Sequence, residues 1–495
     1  MSTSTRRGFI STGVRAAAGL ALAPSFAAFL ESCKSKNPVG PTGNWADLAK
    51  TLKGSLVMAE DIDFATLNTQ YALAYLSEEP QAIALCKSED DVVACVKWAR
   101  KNNVPIAPRS GGHSYAGYSR STGLIIDLSQ MTGINFDPAT NLAVLEGGVH
   151  NQQVYNAGRE ASVSVSHGRC KGVGVAGLVL GGGIGFNMRK HGLTCDQLIS
   201  TRIVLANGEI ITASANENPE VFWAVRGAGG GNFGIHTQFV MQMFPVTTLT
   251  WFRIQWRTEL ERIFDVFQDV AFEAPPEFGV KFMLNARDGE ANKGNELYIE
   301  ILGQFAGDES QLRSLLKPVY QVAAPSLETI QNLPYWDAQE FLSEDGSPEY
   351  AHERTRFCFG KISPEGRDAI FRNLKKWPGT SVDAMWKYFL MGGKIKEVSN
   401  DATAFPFREA TMISAIDLEW LPVDKNVLEE NFKWLDAFHE EMEQYTSPHC
   451  FINFIDRRQK NHLTAYYGDH LERLKVIKRQ LDPDNIFSNP KSIPL

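Results

Sequence analysis

Eight glycines fall within the eighteen residues from Gly168 to Gly185, and a second glycine-rich stretch, Pro108-Arg-Ser-Gly-Gly-His-Ser-Tyr115, lies upstream. Runs of this kind suit neither helix nor strand interiors, because glycine gives up the most backbone freedom on folding. They serve where the chain must pass close to a ligand and aim consecutive N–H groups at an anion such as a pyrophosphate. Each stretch also carries one nucleophile, His113 in the first and Cys170 in the second. Singly, such a histidine reads as a turn residue and such a cysteine as a small buried hydrophobe. Together, 57 residues apart in a region of mixed strands and helices, they suit a large planar cofactor held covalently at two points.

The surrounding pattern is α+β. Glu89 to Asn103 carries Val92, Val93, Val96, Trp98 and Ala99 at helical spacing, and Val104-Pro-Ile-Ala then begins a strand into the His113 loop. Leu124–Leu128 and Leu142–Glu146 read as strands, and Asn207-Gly208 predicts a hairpin between Thr201–Ala206 and Glu209–Ala213. From about residue 248, long strand candidates (250–256, 296–303, 411–420) alternate with helices, which predicts an antiparallel sheet with helices on one face. There is no Gly-Lys-Ser/Thr phosphate loop and no strand–Gly-x-Gly-x-x-Gly–helix opening, which argues against nucleoside triphosphates and a dinucleotide fold of that type.

Composition narrows the classes further. With 43% hydrophobic and 21% charged residues the chain can build a large core, and a net charge of −8 offers no basic footprint for nucleic acid. Seven cysteines are too few for a disulfide scaffold; Cys86, Cys95, Cys195, Cys358 and Cys450 read as buried thiols or one bridge. The first residues, Ser4-Thr-Arg-Arg-Gly-Phe-Ile10 with an alanine-rich run to Leu30, read as a twin-arginine export signal over 1–33. Leu30-Glu-Ser-Cys33 resembles a lipobox, so the expected location is periplasmic, secreted or lipid-anchored, with membrane contact only through that end. Residues 34–75 read as a tether and N-terminal segment.

Arg109-Ser-Gly-Gly-His-Ser-Tyr115, the Cys170 glycine run, Arg189-x-x-Gly-Leu-Thr-x-Asp196, Phe222–Gly234 and the terminal Tyr466-Tyr-Gly468 and Asp482-Pro-x-Asn-Ile-Phe487 resemble the berberine-bridge-enzyme-like branch of the vanillyl-alcohol-oxidase flavoproteins. The resemblance implies a two-subdomain FAD-binding domain over 76–247, a substrate domain over 248–446 and a C-terminal segment, 447–495, that returns to the first. It implies FAD bonded through His113 and Cys170, cradled by Arg109, Ser110, Gly111, Gly112, Ser114, Gly172, Val173, Gly174, Gly177, Gly181, Gly182, Asp196, Gly231, Asn232, Phe233, Tyr467 and Asn485. No metal is implied. An alcohol, foremost a sugar hydroxyl, would be oxidised to a carbonyl with molecular oxygen reduced to hydrogen peroxide; a small Val173 near the flavin accompanies oxidases of this type. The alternatives are a dehydrogenase feeding a quinone or another acceptor, and a flavin-binding protein that has lost its activity.

The base is where the chain departs from the pattern. The Asn-Tyr-x-Asp element that supplies a tyrosine reads Asn453-Phe-Ile-Asp456, and Phe-Pro-His-Arg reads Phe405-Pro-Phe-Arg408. A carboxylate expected five residues before a strand tryptophan is replaced by Ala415. Asp417, on the same strand face by the two-residue alternation, is the expected base, with Tyr115 beside the substrate and Glu300 and Gln304 as substrate contacts.

Overall fold

The computed structural model describes residues 43–287 and 296–495. The export signal and Cys33 therefore lie outside the described residues. Gly43–Leu495 forms one unit. Its first sheet takes β1 (Ser55–Met58), β2 (Ala82–Leu85), β3 (Ile106–Arg109) and β4 (Leu124–Asp127) in the order β1-β2-β4-β3. β2 and β3 both run parallel to β4, which requires a crossover, and α1 (Glu89–Asn102) supplies it. Val92, Cys95, Val96 and Ala99 form its buried stripe, three acids open its first turn, and Asn103 ends it in the left-handed conformation.

A second, wholly antiparallel sheet joins β5 (Ile134–Asp137), β6 (Leu142–Glu146), β7 (Leu198–Val204), β8 (Ile210–Ser214) and β9 (Ile235–Gln242) in the order β5-β6-β9-β7-β8. β7 and β8 are the hairpin that Asn207-Gly208 predicts, with Gly208 at φ +77°. Both glycine stretches emerge between strands of these two sheets.

The third sheet has seven antiparallel strands: β10 (Thr248–Trp256), β11 (Phe278–Arg287), β12 (Glu296–Phe305), β13 (Leu327–Pro334), β14 (Tyr350–Cys358), β15 (Asp383–Leu390) and β16 (Met412–Trp420), ordered β13-β10-β12-β11-β15-β16-β14. One face carries Phe252, Phe282, Ile301, Trp386, Tyr388 and Ile416, packed against helices 260–273, 309–322, 364–375 and 428–442. Strand alternation sends Lys281, Lys387, Glu353 and Asp417 to the other face, toward the glycine loops. A strand buried on both faces that still carries charge inward must pair it internally.

The end of the chain returns to the first two sheets. Leu474 and Ile477 enter the core of the second sheet, and Phe487 enters that of the first. Lys478, fully buried, donates hydrogen bonds to the carbonyls of Asn232 (2.8 Å) and Phe487 (2.7 Å) and to Asp482 (2.7 Å). All six cysteines among the described residues are unpaired and buried. No helix among them is long and apolar enough to cross a membrane.

Candidate active site

The two glycine loops cross each other. A Cβ placed on Gly111 would stand 2.3 Å from the Gly174 nitrogen and 2.7 Å from the Gly172 carbonyl oxygen; one on Gly174 would stand 2.3 Å from the Gly111 nitrogen. Only a residue without a side chain fits on either side of that crossing. The crossing brings His113 and Cys170 together: a Cβ on Gly346 would lie 3.1 Å from His113 Nε2 and 3.4 Å from Cys170 Cβ.

Both nucleophiles face one long cavity. Its walls are Ser110–Tyr115 from the first loop, Gly168–Cys170, Val173, Gly174 and Gly177 from the second, and Gly229–Asn232 from a third glycine turn. The C-terminal segment closes it with Phe451–Ile455, Tyr467 and Phe487. Ser110, Gly111, Gly112, His113, Ser114, Val173, Gly174, Gly177, Cys170, Gly231, Asn232 and Tyr467 of the expected cradle thus line the same space, and Tyr115 lines it with them.

The remaining expected residues stand elsewhere. Arg109 pairs with Asp127 beneath the loop, and Gly172 donates its N–H to the Asp345 carbonyl at 2.9 Å. Gly181 and Gly182 let the chain pass close to Asn453 and Phe405, and Phe233 is a core residue. Asn485 occupies a left-handed turn position at φ +52° after the last helix, its N–H donating to the Asp482 carbonyl. Asp196, expected beside the cofactor, accepts two hydrogen bonds of 2.7 Å from Arg408, which is fully buried. A planar guanidinium matched to a carboxylate in this way joins two distant segments of chain. Glu300 accepts from Arg253 (2.9 Å) and Gln255, and Gln304 accepts from Gln339 at 2.9 Å, so their polar ends are engaged within the protein and neither lines the cavity.

Burial sets the protonation of the two nucleophiles. It pushes His113 down to about 4, so the imidazole is neutral at pH 7 with a free lone pair. It pushes the Cys170 thiol up to about 12, against the nearby Arg169 guanidinium. The His113 ring stacks on Tyr71 at 3.6 Å between centroids, and the Tyr71 hydroxyl donates to Glu349. The Cys170 thiol points to Glu344 (3.7 Å), which also pairs with Arg169 and with Lys281 (3.0 Å).

Deeper on the same side lies a second charged group. Glu353 and Asp417 stand directly opposite each other on β14 and β16, a repulsive arrangement for two carboxylates. Lys387 of β15 reaches both, at 3.0 Å and 2.7 Å. One cation does not neutralise two buried anions. Burial and the Asp417 charge push Glu353 up to about 7 despite Lys387, while Lys387 itself is driven higher than a free lysine, the two carboxylates outweighing the cost of burial.

Tyr71, Arg169, Lys281, Glu344, Glu353 and Lys387 carry no motif signal. For Lys281, Glu353 and Lys387 the one trace in sequence is an alternation that places a charge inward on strands of an otherwise apolar sheet.

The lining fits a long anionic cofactor with a flat ring. Glycine backbone runs the length of the cavity, and a Cβ on Gly177 would meet nothing within 4 Å. Ser110 Oγ and His113 Nε2 are buried without a hydrogen-bond partner, an arrangement that a bound group would relieve.

Known proteins are similar to this chain in sequence and in fold. The FAD binding domain family matches residues 80–214, and the berberine and berberine-like family matches residues 450–494. The uncharacterized FAD-linked oxidoreductase YgaK of Bacillus subtilis is 31% identical over 458 residues, 90% of this chain and 97% of that protein. The xylooligosaccharide oxidase of Thermothelomyces thermophilus is 27% identical over 84% of this chain and 87% of its own. Among solved structures, the wild-type BBE-like 1 of Physcomitrella patens superposes with a TM-score of 0.84 at 26% identity, over 91% of this chain and 99% of that one.

Proposed function

The chain belongs to the berberine-bridge-like FAD-linked oxidoreductases, and on that premise we propose that it is an exported oxidase holding FAD covalently through both His113 and Cys170. The reaction is alcohol plus dioxygen to carbonyl plus hydrogen peroxide, with a sugar hydroxyl as the leading substrate class. Resemblance to proteins named xylooligosaccharide oxidase and glucooligosaccharide oxidase supports that class. The twin-arginine pattern at Arg6-Arg7 supports export after folding, which lets the cofactor be acquired first.

The observation that carries the reading is the convergence of a neutral imidazole and a thiol on one cavity at a glycine crossing. Flavin, when bound, accepts the hydride from the carbinol carbon. The chain's own residues do the rest. Tyr115, edge-on to Phe454 at 4.8 Å, borders the substrate, and Val173 leaves space for dioxygen. Phe454 and Phe389 make an apolar wall that excludes water, and Asp417, held by Lys387 at 2.7 Å, takes the proton that leaves the hydroxyl.

The test is acid precipitation of the purified mature protein. Yellow colour should stay with the wild-type polypeptide and with His113→Ala or Cys170→Ala singly, and leave with the double variant. Colour lost from the wild type refutes covalent attachment. A peroxide-coupled screen of sugars and alcohols under air then tests the oxidase assignment, because a dehydrogenase reduces dye without releasing peroxide.

A further inference from the structure

The stretch from Glu344 to Glu349, just before β14, lies against both nucleophiles. Its first end is clipped to the Cys170 loop. The Glu344 N–H donates to the Arg169 carbonyl at 3.0 Å, and the Lys171 N–H donates to the Glu344 carbonyl at 2.8 Å. Its far end is clipped to Tyr71, whose carbonyl accepts from the Glu349 N–H at 2.9 Å, while the Leu73 N–H donates to the Glu349 carbonyl at 3.0 Å. Between the two ends Gly346, at φ +69°, packs on His113 and Cys170. A Cβ there would press on His113 Nε2 at 3.1 Å, in a backbone conformation that side chains rarely adopt.

Tyr71 is the part of this arrangement that covers a face of the imidazole. Its ring lies on that of His113 at 3.6 Å between centroids and 16° between planes. Three anchors fix it: its N–H donates to the Gly112 carbonyl at 3.1 Å, its carbonyl accepts from Glu349, and its hydroxyl donates to the Glu349 carboxylate. His113 Nε2 is buried without a partner, so no hydrogen bond at that nitrogen sets the rotation of the ring. A side chain with two soft torsions is then oriented by what it stacks on. His113 lines the cavity and Tyr71 does not, so Tyr71 restrains the ring without entering the space a cofactor would fill.

Resting on the two-bond flavin reading above, we propose that Tyr71 is a positioning residue for the bond from His113 to the flavin, and that Glu349 holds Tyr71 in place. The step it serves exchanges the imidazole N–H and one C–H of the flavin 8α-methyl for a C–N bond. The two electrons and two protons set free are taken by dioxygen as hydrogen peroxide. Tyr71 itself makes no bond and moves no proton. A nitrogen lone pair lies in the plane of the ring, and a stack on the face holds that plane still while leaving the edge free to react.

The test separates the two bonds. Protein made without riboflavin is given FAD under air, and the flavin retained after acid precipitation is followed with time. Cys170→Ala reports the histidyl bond alone, and His113→Ala reports the cysteinyl bond alone. In these backgrounds Tyr71→Leu, which fills the space without a flat ring, should slow the histidyl bond by about 10-fold or more and leave the cysteinyl bond within about twofold. Glu349→Ala should slow the histidyl bond in the same selective way. Glu349→Gln, which still accepts from the Tyr71 hydroxyl, should restore it. Equal slowing of both bonds makes Tyr71 a residue of general packing and overturns the proposal. An unchanged histidyl rate overturns it too, as does a Glu349→Ala rate equal to that of Glu349→Gln. Where Tyr71→Leu does not fold, the Glu349 pair decides alone. The two-bond reading fails differently: Cys170→Ala with Tyr71 intact then keeps no colour in acid, and the proposal falls with it.

Discussion

Replacing Gly111 by alanine adds one methyl group at the point where the two glycine loops cross. The added carbon would lie 2.3 Å from the Gly174 nitrogen, 2.7 Å from the Gly172 oxygen and 2.9 Å from the Gly174 Cα. Carbon contacts are optimal at about 3.5–4.0 Å, so the loops must part by roughly 1 Å. All three obstacles are backbone atoms, so no rotamer change relieves them. Overpacking of this kind costs about 1–3 kcal/mol. It also moves His113, two residues away, relative to Cys170. Gly177→Ala is the matched control. It lies in the short helix Val175–Leu180, and its methyl would meet nothing within 4 Å. Without cofactor this substitution should stabilise by about 0.5–1 kcal/mol, since alanine loses less backbone freedom than glycine in a helix. The same methyl projects into the cavity that would hold the cofactor, so flavin loading should fall even as the empty protein gains stability. Urea midpoints of the flavin-free proteins and the colour retained after acid precipitation report both quantities. A Gly111→Ala protein with an unchanged midpoint and full covalent colour refutes the crossing; a Gly177→Ala protein that loads flavin normally refutes its place on the cofactor wall.

Three further outcomes follow from the buried charges. Arg408→Met strands Asp196 as a buried unpaired anion and should cost about 3–5 kcal/mol, read as a lower urea midpoint, whereas breaking the exposed Lys433–Glu429 pair should change little. Against a burial that would raise it, the hydrogen bond from His352 and the charge of Arg354 hold Asp456 below the usual carboxylate range. A depressed folded pKa means that this stabilisation is complete above the ordinary aspartate value near 4 and is lost as pH falls below it; Asp456→Asn should flatten that acid limb of the stability profile. His236, pushed down to about 3 by burial, should stay neutral throughout the working range, so His236→Gln should leave the pH dependence of activity near neutrality unchanged in a flavin-loaded protein.

What sequence alone determined is the chemistry that local backbone demands. Glycines at 111 and 174 announce a close approach, because a Cβ at either would collide with the backbone of the other loop, and they lead directly to His113 and Cys170. The helix over 89–102, the 207–208 hairpin and the strand that carries Asp417 were legible for the same reason: turn and periodicity signals act over a few residues. The polar partners of Asp196, Glu300 and Gln304 were not legible in sequence. These partners, Arg408, Arg253 and Gln339, come from segments between 35 and 212 residues away, and nothing in a local window says that a carboxylate or an amide will be met there. The charge cluster behind Tyr115 belongs to the tertiary structure alone. Sheet order puts β15 against β16 and β16 against β14, and one lysine is thereby shared by two carboxylates. The chain supplies an Asp, a Glu and a Lys; register and burial decide that the two acids meet over the one cation.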